Sequence, residues 1–189
     1  MKNAEERTDG SLEALIQHLR THSLRTDGTF ILRSGATSSW YLDARHTTYD
    51  GAGAWLAATA ILDRLDDEAQ AIGGMTMGAD PIAIATAVLA ARRGRVLRAF
   101  SVRKEAKDHG AGGRLVGPVE TGDAVAICDD TVTTGGAIFE ALDVLVQEGI
   151  IVRQVIVLVD RSAGLLEQRC RERNLPLAAI LRPADLGVE

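Results

Sequence analysis

From about residue 69 onward, short apolar runs alternate with amphipathic stretches, and each run ends in glycine, charged or hydroxyl-bearing residues. The runs are 69–72, 95–102, 124–128, 155–159 and 177–181. A wholly apolar segment such as 124–128 suits a strand buried on both faces. Between the runs lie helical patterns. Residues 136–147 place Ile138, Ala141, Leu142 and Leu145 on one face, with Gly149 as the stop. Asp80-Pro81 reads as a cap followed by proline at the first helical position, opening a helix to about Ala91. A further helix is predicted after Val159, to about Arg173. This alternation specifies an α/β fold with a central, mostly parallel sheet flanked by helices.

The N-terminal part has a different rhythm. Leu12, Leu15, Ile16 and Leu19 carry helical spacing over residues 11–22, and residues 52–65 are Ala-rich and helical. Residues 30–33 and 40–43 are predicted as two short strands around a Ser-Gly turn. Residues 1–45 are therefore expected to form a small hood on a core of residues 46–189, within a single domain spanning 1–189.

Composition narrows the function classes. The net charge of −5 argues against general nucleic-acid or anionic-membrane binding. Cys128 and Cys170 fit no zinc spacing and no disulfide framework, so both are read as reduced thiols. MKNAEERTDG has no apolar stretch, and no segment has the length of a membrane span, so a cytoplasmic protein is expected.

Ligands of open parallel sheets bind beyond the carboxyl ends of the strands. Four polar features directly follow four of the apolar runs: Gly73–Asp80, Arg103–Gly113, Asp129–Gly136 and Asp160-Arg161. Topology alone gathers them on one edge. The sharpest is AVAICDDTVTTGGA, residues 124–137. Hydroxyls, glycines and N–H groups at a helix start bind phosphate, whereas Asp129 and Asp130 would repel it and instead suit ribose hydroxyls. The segment reads as a ribose 5-phosphate cradle: Asp129 and Asp130 for the sugar, and Thr131, Val132, Thr133, Thr134, Gly135, Gly136 and Ala137 for the phosphate.

This string resembles the phosphoribosyl pyrophosphate (PRPP) signature of the type I phosphoribosyltransferases. Residues 101–117, SVRKEAKDHGAGGRLVG, concentrate basic groups in one loop, and RKEAKDHG is similar to the catalytic loop of orotate phosphoribosyltransferases. GGMTMGADPIA, residues 73–83, resembles the family's pyrophosphate loop, with Met77-Gly78 where some members carry Tyr-Lys. Backbone N–H groups would then serve there. FILRSGATSSWYLDAR, residues 30–45, resembles the orotate-covering segment.

The resemblance implies a type I phosphoribosyltransferase fold and the transfer of ribose 5-phosphate from PRPP to orotate in pyrimidine (UMP) biosynthesis. It implies Mg²⁺ bound mainly through PRPP, and a homodimer in which the basic loop acts across the interface. Lys107, His109, Lys104 and Arg103 are the catalytic candidates, and they bind PRPP together with residues 129–137, Met77 and Gly78. Arg161, Thr133, Trp40, Tyr41 and Arg33 are the orotate candidates. The loop is expected to be mobile without ligand. The alternatives are a transferase for another base and a non-catalytic PRPP sensor on the same fold. The former is opposed by the RKEAKDHG string, and the latter by the lack of length for a DNA-binding extension.

Overall fold

The computed structural model describes residues 4–31, 37–106 and 113–189. The first helix, α1 (Ala4–His22), begins earlier than the apolar spacing suggested. Its Leu15 and Leu19 are fully buried in the main core. Two small antiparallel ribbons follow. They are built from β1 (Leu24–Arg25), β2 (Phe30–Ile31), β3 (Thr37–Ser38) and β4 (Tyr41–Leu42). β4 pairs with β1, Leu24 opposite Leu42, and β2 pairs with β3. The expected strand at 40–43 is thus shorter, and the described part of the one at 30–33, Phe30–Ile31, belongs to the other ribbon; residues 32 and 33 lie outside the described residues. The short helix α2 (Arg45–Thr48) leads into α3 (Gly51–Leu62), which Asp50 caps by accepting from the N–H groups of Ala52 and Gly53.

The remainder alternates as its apolar rhythm requires. β5 (Ala71–Met75) runs into α4 (Ala79–Arg92), then β6 (Arg98–Val102) and a short β7 (Leu115–Val116). β8 (Ala124–Val132), α5 (Gly136–Gln147), β9 (Ile151–Asp160), α6 (Leu165–Arg171) and β10 (Leu177–Leu181) follow, with a 3₁₀ turn at Pro183–Leu186. The sheet order is β10-β9-β8-β5-β6-β7, parallel except for β7. Strand residues point alternately to the two faces. Ala126, Cys128, Ile156 and Leu158 therefore join the core under α1, α3 and α4. Val125, Ile127, Val155 and Val157 join the core under α5 and α6.

The connection from β5 through α4 leads outward to β6, and that from β8 through α5 leads the other way to β9. β5 and β8 are neighbours, so the strand order reverses between them, and a crevice opens at their carboxyl ends. Two expectations about this edge need correction. β8 continues to Val132, so Asp129 and Asp130 lie inside the strand rather than after it. Helix α4 starts at Ala79, with Gly78 in the cap position and no side-chain cap. Asp80 does not cap it. Its carboxylate accepts from Thr76 Oγ1 at 2.6 Å and from Ser101 Oγ at 2.7 Å, which ties the loop after β5 to β6. Pro81 falls within the first turn, where its missing N–H costs nothing. Among the described residues, no helix is long and apolar enough to cross a membrane.

Candidate functional site

β8 delivers Asp129 and Asp130 to the crevice, each only 8% exposed. Local bonds hold them. Asp129 Oδ1 accepts from the Asp130 N–H at 3.0 Å, and Asp130 Oδ1 accepts from the Thr131 N–H at 2.6 Å. Burial pushes the Asp129 carboxyl up to about 7, and the Asp130 charge adds to the effect. Burial also raises Asp130, against the opposing bonds from Thr131 and the nearby Arg45 charge. Both carboxylates converge on Gly78. A Cβ there would stand 2.7 Å from Asp129 Oδ1 and 2.9 Å from Asp130 Oδ1, so only glycine lets the loop after β5 approach this closely.

Three concavities adjoin along the sheet edge. The first, of about 330 Å³, is lined by Tyr41, Asp43, Arg45, Thr76–Gly78, Lys104 and the acid pair. The second, of about 280 Å³, is formed by Asp129 and residues 131–137 at the start of α5. Gly135 takes φ +78° at the cap position, the Gly136 N–H donates to Thr134 Oγ1 at 3.4 Å, and the other first-turn N–H groups have no partner within the helix. The third, of about 350 Å³, is lined by Trp40, Thr133, Asp160, Arg161 and the C-terminal Arg182, Pro183 and Glu189. Asp129, Thr131 and Ala137 are shared by the first two, and Thr133 by the last two. A larger hollow of about 490 Å³ between α6 and β10 touches these only through Arg182.

In the third concavity the Arg161 guanidinium lies 4.2 Å from the centre of the Trp40 ring. The Arg161 main chain is fixed by its N–H, which donates to Val132 O at 2.7 Å. Its Nε is buried and has no acceptor among the described residues. Burial lowers the pKa of this arginine, against a smaller opposing effect of Tyr41. A planar donor fork with an unmet N–H, floored by an indole, suits a flat anionic ligand.

No family model matched the chain. Individual proteins match closely. An orotate phosphoribosyltransferase of Streptomyces avermitilis is 38% identical over 177 residues, covering 93% of this chain and 97% of that one. The solved Mycobacterium tuberculosis H37Rv orotate phosphoribosyltransferase in complex with Fe(III) dicitrate superposes with a TM-score of 0.82 at 31% identity, covering 94% of this chain and 99% of that one. The structure of the same enzyme in complex with PRPP gives a TM-score of 0.78 at 29% identity, covering 94% and 99%. The chain belongs to the orotate phosphoribosyltransferase family.

The family resemblance assigned Trp40 and Tyr41 together to orotate, and the geometry divides the two. Adjacent residues on an extended chain point opposite ways. Trp40, 7% exposed, floors the Arg161 concavity, and its indole N–H donates to the Glu189 carbonyl at 2.7 Å. Tyr41, 39% exposed, stacks on Phe30 and lines the acid-pair cleft. Met77, Gly78 and Lys104 line the same cleft. Arg103 does not line it; its main chain pairs with Arg114, whose side chain bonds Glu140. Lys107, His109 and Arg33 lie outside the described residues.

Sequence reasoning assigned nothing to Asp43 and Arg45, which the hood brings to the acid-pair cleft of this phosphoribosyltransferase. The one available signal was an acid and a base two positions apart directly after the aromatic pair, in WYLDAR. Asp80 was misread because an Asp-Pro step looks like a helix start. Cys128 is buried and free, as its apolar run implied, and Cys170 is buried and free as well.

Proposed function

We propose that the chain transfers ribose 5-phosphate from PRPP to orotate, giving orotidine 5′-monophosphate and pyrophosphate. The observation that carries this reading is the run of three adjoining concavities: an acid-lined cleft, a helix-start cradle and a cavity holding an arginine with an unmet N–H. Asp129 and Asp130 would accept hydrogen bonds from the ribose hydroxyls. Residues 131–137 would hold the 5′-phosphate through backbone N–H groups and hydroxyls. Arg161, with Thr133, would receive the orotate carboxylate or adjacent carbonyl against the Trp40 face. Arg33 is a further candidate cation for orotate.

In the transfer, the ring nitrogen of orotate bonds to C1 of the ribose as the C1–O bond to the diphosphate breaks, and the proton of that nitrogen is released to the departing diphosphate or to water. The bonding electron pair leaves with the diphosphate. Positive charge grows at the anomeric carbon, as in glycoside hydrolysis, and negative charge grows on the leaving group. Lys104 at the cleft, with Arg103, Lys107 and His109 of the following loop, would stabilise that leaving charge. Gly78 and the Met77 main chain would line the diphosphate.

The site fits Mg²⁺. Two buried carboxylates whose charged forms lack full compensation suit a hard cation with oxygen ligands. Among the described residues, no group of three or more acidic, His or Cys side chains could cage an ion. Mg²⁺ would be bound mainly through PRPP, with Asp129 and Asp130 beside it, and it would supply charge neutralisation on the diphosphate.

The protein is further proposed to act in UMP biosynthesis in the cytoplasm, as a single domain. It is also proposed to act as a homodimer whose basic loop serves the partner's site. Mixing Lys107→Ala with Asp130→Asn subunits, each inactive alone, should then restore activity in the hybrid dimer. Hybrids that form but stay inactive would refute action across the interface. The overall reading is tested by product formation from PRPP and Mg²⁺ with orotate, uracil, adenine, guanine and xanthine in parallel. Turnover with orotate alone is expected. Turnover only with another base would refute the orotate assignment, and no PRPP binding at all would refute the site.

A further inference from the structure

The loop after β5 brings Thr76, Met77 and Gly78 to the acid-pair cleft and no cationic side chain. Among the described residues, the charged groups lining that cleft are Asp43, Asp129 and Asp130 against Arg45 and Lys104. A diphosphate entering it would face three carboxylates and two cations. Lys104 is exposed, a point charge on a flexible stem. Arg45 is held in place. Its Nε donates to Asp43 Oδ1 at 2.8 Å and its Nη2 to Asp43 Oδ2 at 2.7 Å. The Arg45 N–H also donates to Asp43 Oδ1, at 3.1 Å, so one carboxylate fixes both the main chain and the fork.

A doubly bonded guanidinium has its plane and direction set in advance. Here the fixed edge is the one turned to Asp43. Nη1 has no hydrogen-bond partner among the described residues, and the side chain is 49% exposed in the wall of the cleft. The charge of Arg45 acts on Asp130 across that cleft, so the guanidinium stands on the side where the ribose acids are.

We propose that Arg45, oriented by Asp43, is a diphosphate-binding residue: the cation on the hood side of the cleft, contributed by the same chain as Asp129 and Asp130. The proposal rests on the reading of this cleft as the PRPP site. Arg45 would touch the leaving group directly, and Asp43 would be a positioning residue acting through it.

The test is inhibition by pyrophosphate and, separately, by ribose 5-phosphate, both with Mg²⁺, on wild type, Arg45→Ala, Arg45→Lys and Asp43→Asn. For Arg45→Ala, the inhibition constant for pyrophosphate and the KM for PRPP should rise roughly tenfold or more, as for loss of a charge-assisted bond. Inhibition by ribose 5-phosphate and the KM for orotate should move less than about twofold. Arg45→Lys should recover part of the loss, and Asp43→Asn should show a smaller rise in the same two constants. If Arg45→Ala does not fold, Arg45→Gln takes its place in the same measurements. Unchanged pyrophosphate inhibition in a folded variant overturns the proposal. So does an equal loss for pyrophosphate and ribose 5-phosphate, which marks a structural arginine. Wild type that binds neither PRPP nor pyrophosphate overturns the PRPP reading itself, a result distinct from a normal wild type with an unaffected variant.

Discussion

The two halves of the candidate site are built in opposite ways. The sheet half is continuous in sequence: residues 129–137 run from the end of β8 to the first turn of α5 and supply the acid pair and the cradle. The hood half is assembled from Trp40, Tyr41, Asp43 and Arg45, around the two-residue β4 and the start of α2, and Trp40 and Arg45 meet partners far along the chain, Arg161, Glu189 and Asp130. A continuous segment carries its geometry in local rules, whereas an assembled one depends on the whole fold. The difference predicts how each half responds to change.

The largest effect should come from the sheet half. Replacing both Asp129 and Asp130 by Asn removes the charge from two buried acceptors. Charge-assisted hydrogen bonds contribute about 1.5–3 kcal/mol each, so PRPP binding should weaken by about 3–6 kcal/mol in all. Titration of the double variant with PRPP checks this, and Asp130→Asn alone should show about half. Affinity within threefold of wild type would mean that the sugar does not lie on the acid pair.

This contrast also explains what could be read from the sequence. The strand–turn–helix pattern at 124–137 is governed by burial and backbone conformation, both visible in residue types. Gly135 at φ +78° and the apolar run before Asp129 were therefore readable. The extension of β8 through the acid pair was not, because pairing of Thr131 with Val159 and Val132 with Asp160 on β9 overrides the local tendency of Asp to leave a strand. Asp80 shows the same principle: its carboxylate goes to Thr76 and Ser101, the latter 21 residues away, and not to its own helix. The pairing of β4 with β1 and the split between Trp40 and Tyr41 depend on register, which two-residue strands do not specify by themselves.

The next effect belongs to the junction of the halves. Arg161 sits on the sheet edge but is floored by a hood residue. Arg161→Ala should weaken orotate by about 1.5–3 kcal/mol and leave PRPP nearly unchanged. Because the Nε is buried without an acceptor among the described residues, the substitution should cost little stability in the free protein. Steady-state kinetics with each substrate varied in turn, and a melting curve, give both numbers. An equal loss for both substrates would make Arg161 a structural residue of the junction.

A smaller effect is expected from pH, and again in the sheet half. Asp129 titrates near 7 in the folded protein against an ordinary value of 3.8. Between about pH 4 and 7 the folded state thus retains a proton that the unfolded chain has released. Stability of the free protein should fall as pH rises through that window and level off above it. Asp129→Asn should flatten the slope and be the more stable form at pH 8, by on the order of 1–2 kcal/mol once the buried site relaxes. Thermal unfolding at pH 5 and pH 8 decides it, and a wild-type profile without a slope would show that the carboxylate is better solvated than its burial implies.

The smallest effect isolates what the hood contributes to base binding. Trp40 does two things: its face lies under the Arg161 guanidinium, and its N–H holds the carbonyl of Glu189 at the rim of the same cavity. Trp40→Phe keeps an aromatic face and loses the N–H, so it should cost about 1 kcal/mol of stability, the net worth of one hydrogen bond. Orotate affinity should change less than about threefold if the face is what positions Arg161. Trp40→Leu removes the face as well, and should weaken orotate by a further cation–π contribution of about 0.5–2 kcal/mol. Isothermal titration of orotate onto the pyrophosphate-loaded variants separates the two. Were Phe to lose as much orotate affinity as Leu, the rim contact to Glu189 would be the feature that shapes the cavity. The hood would then act on the base through the C-terminal residues and not through the arginine.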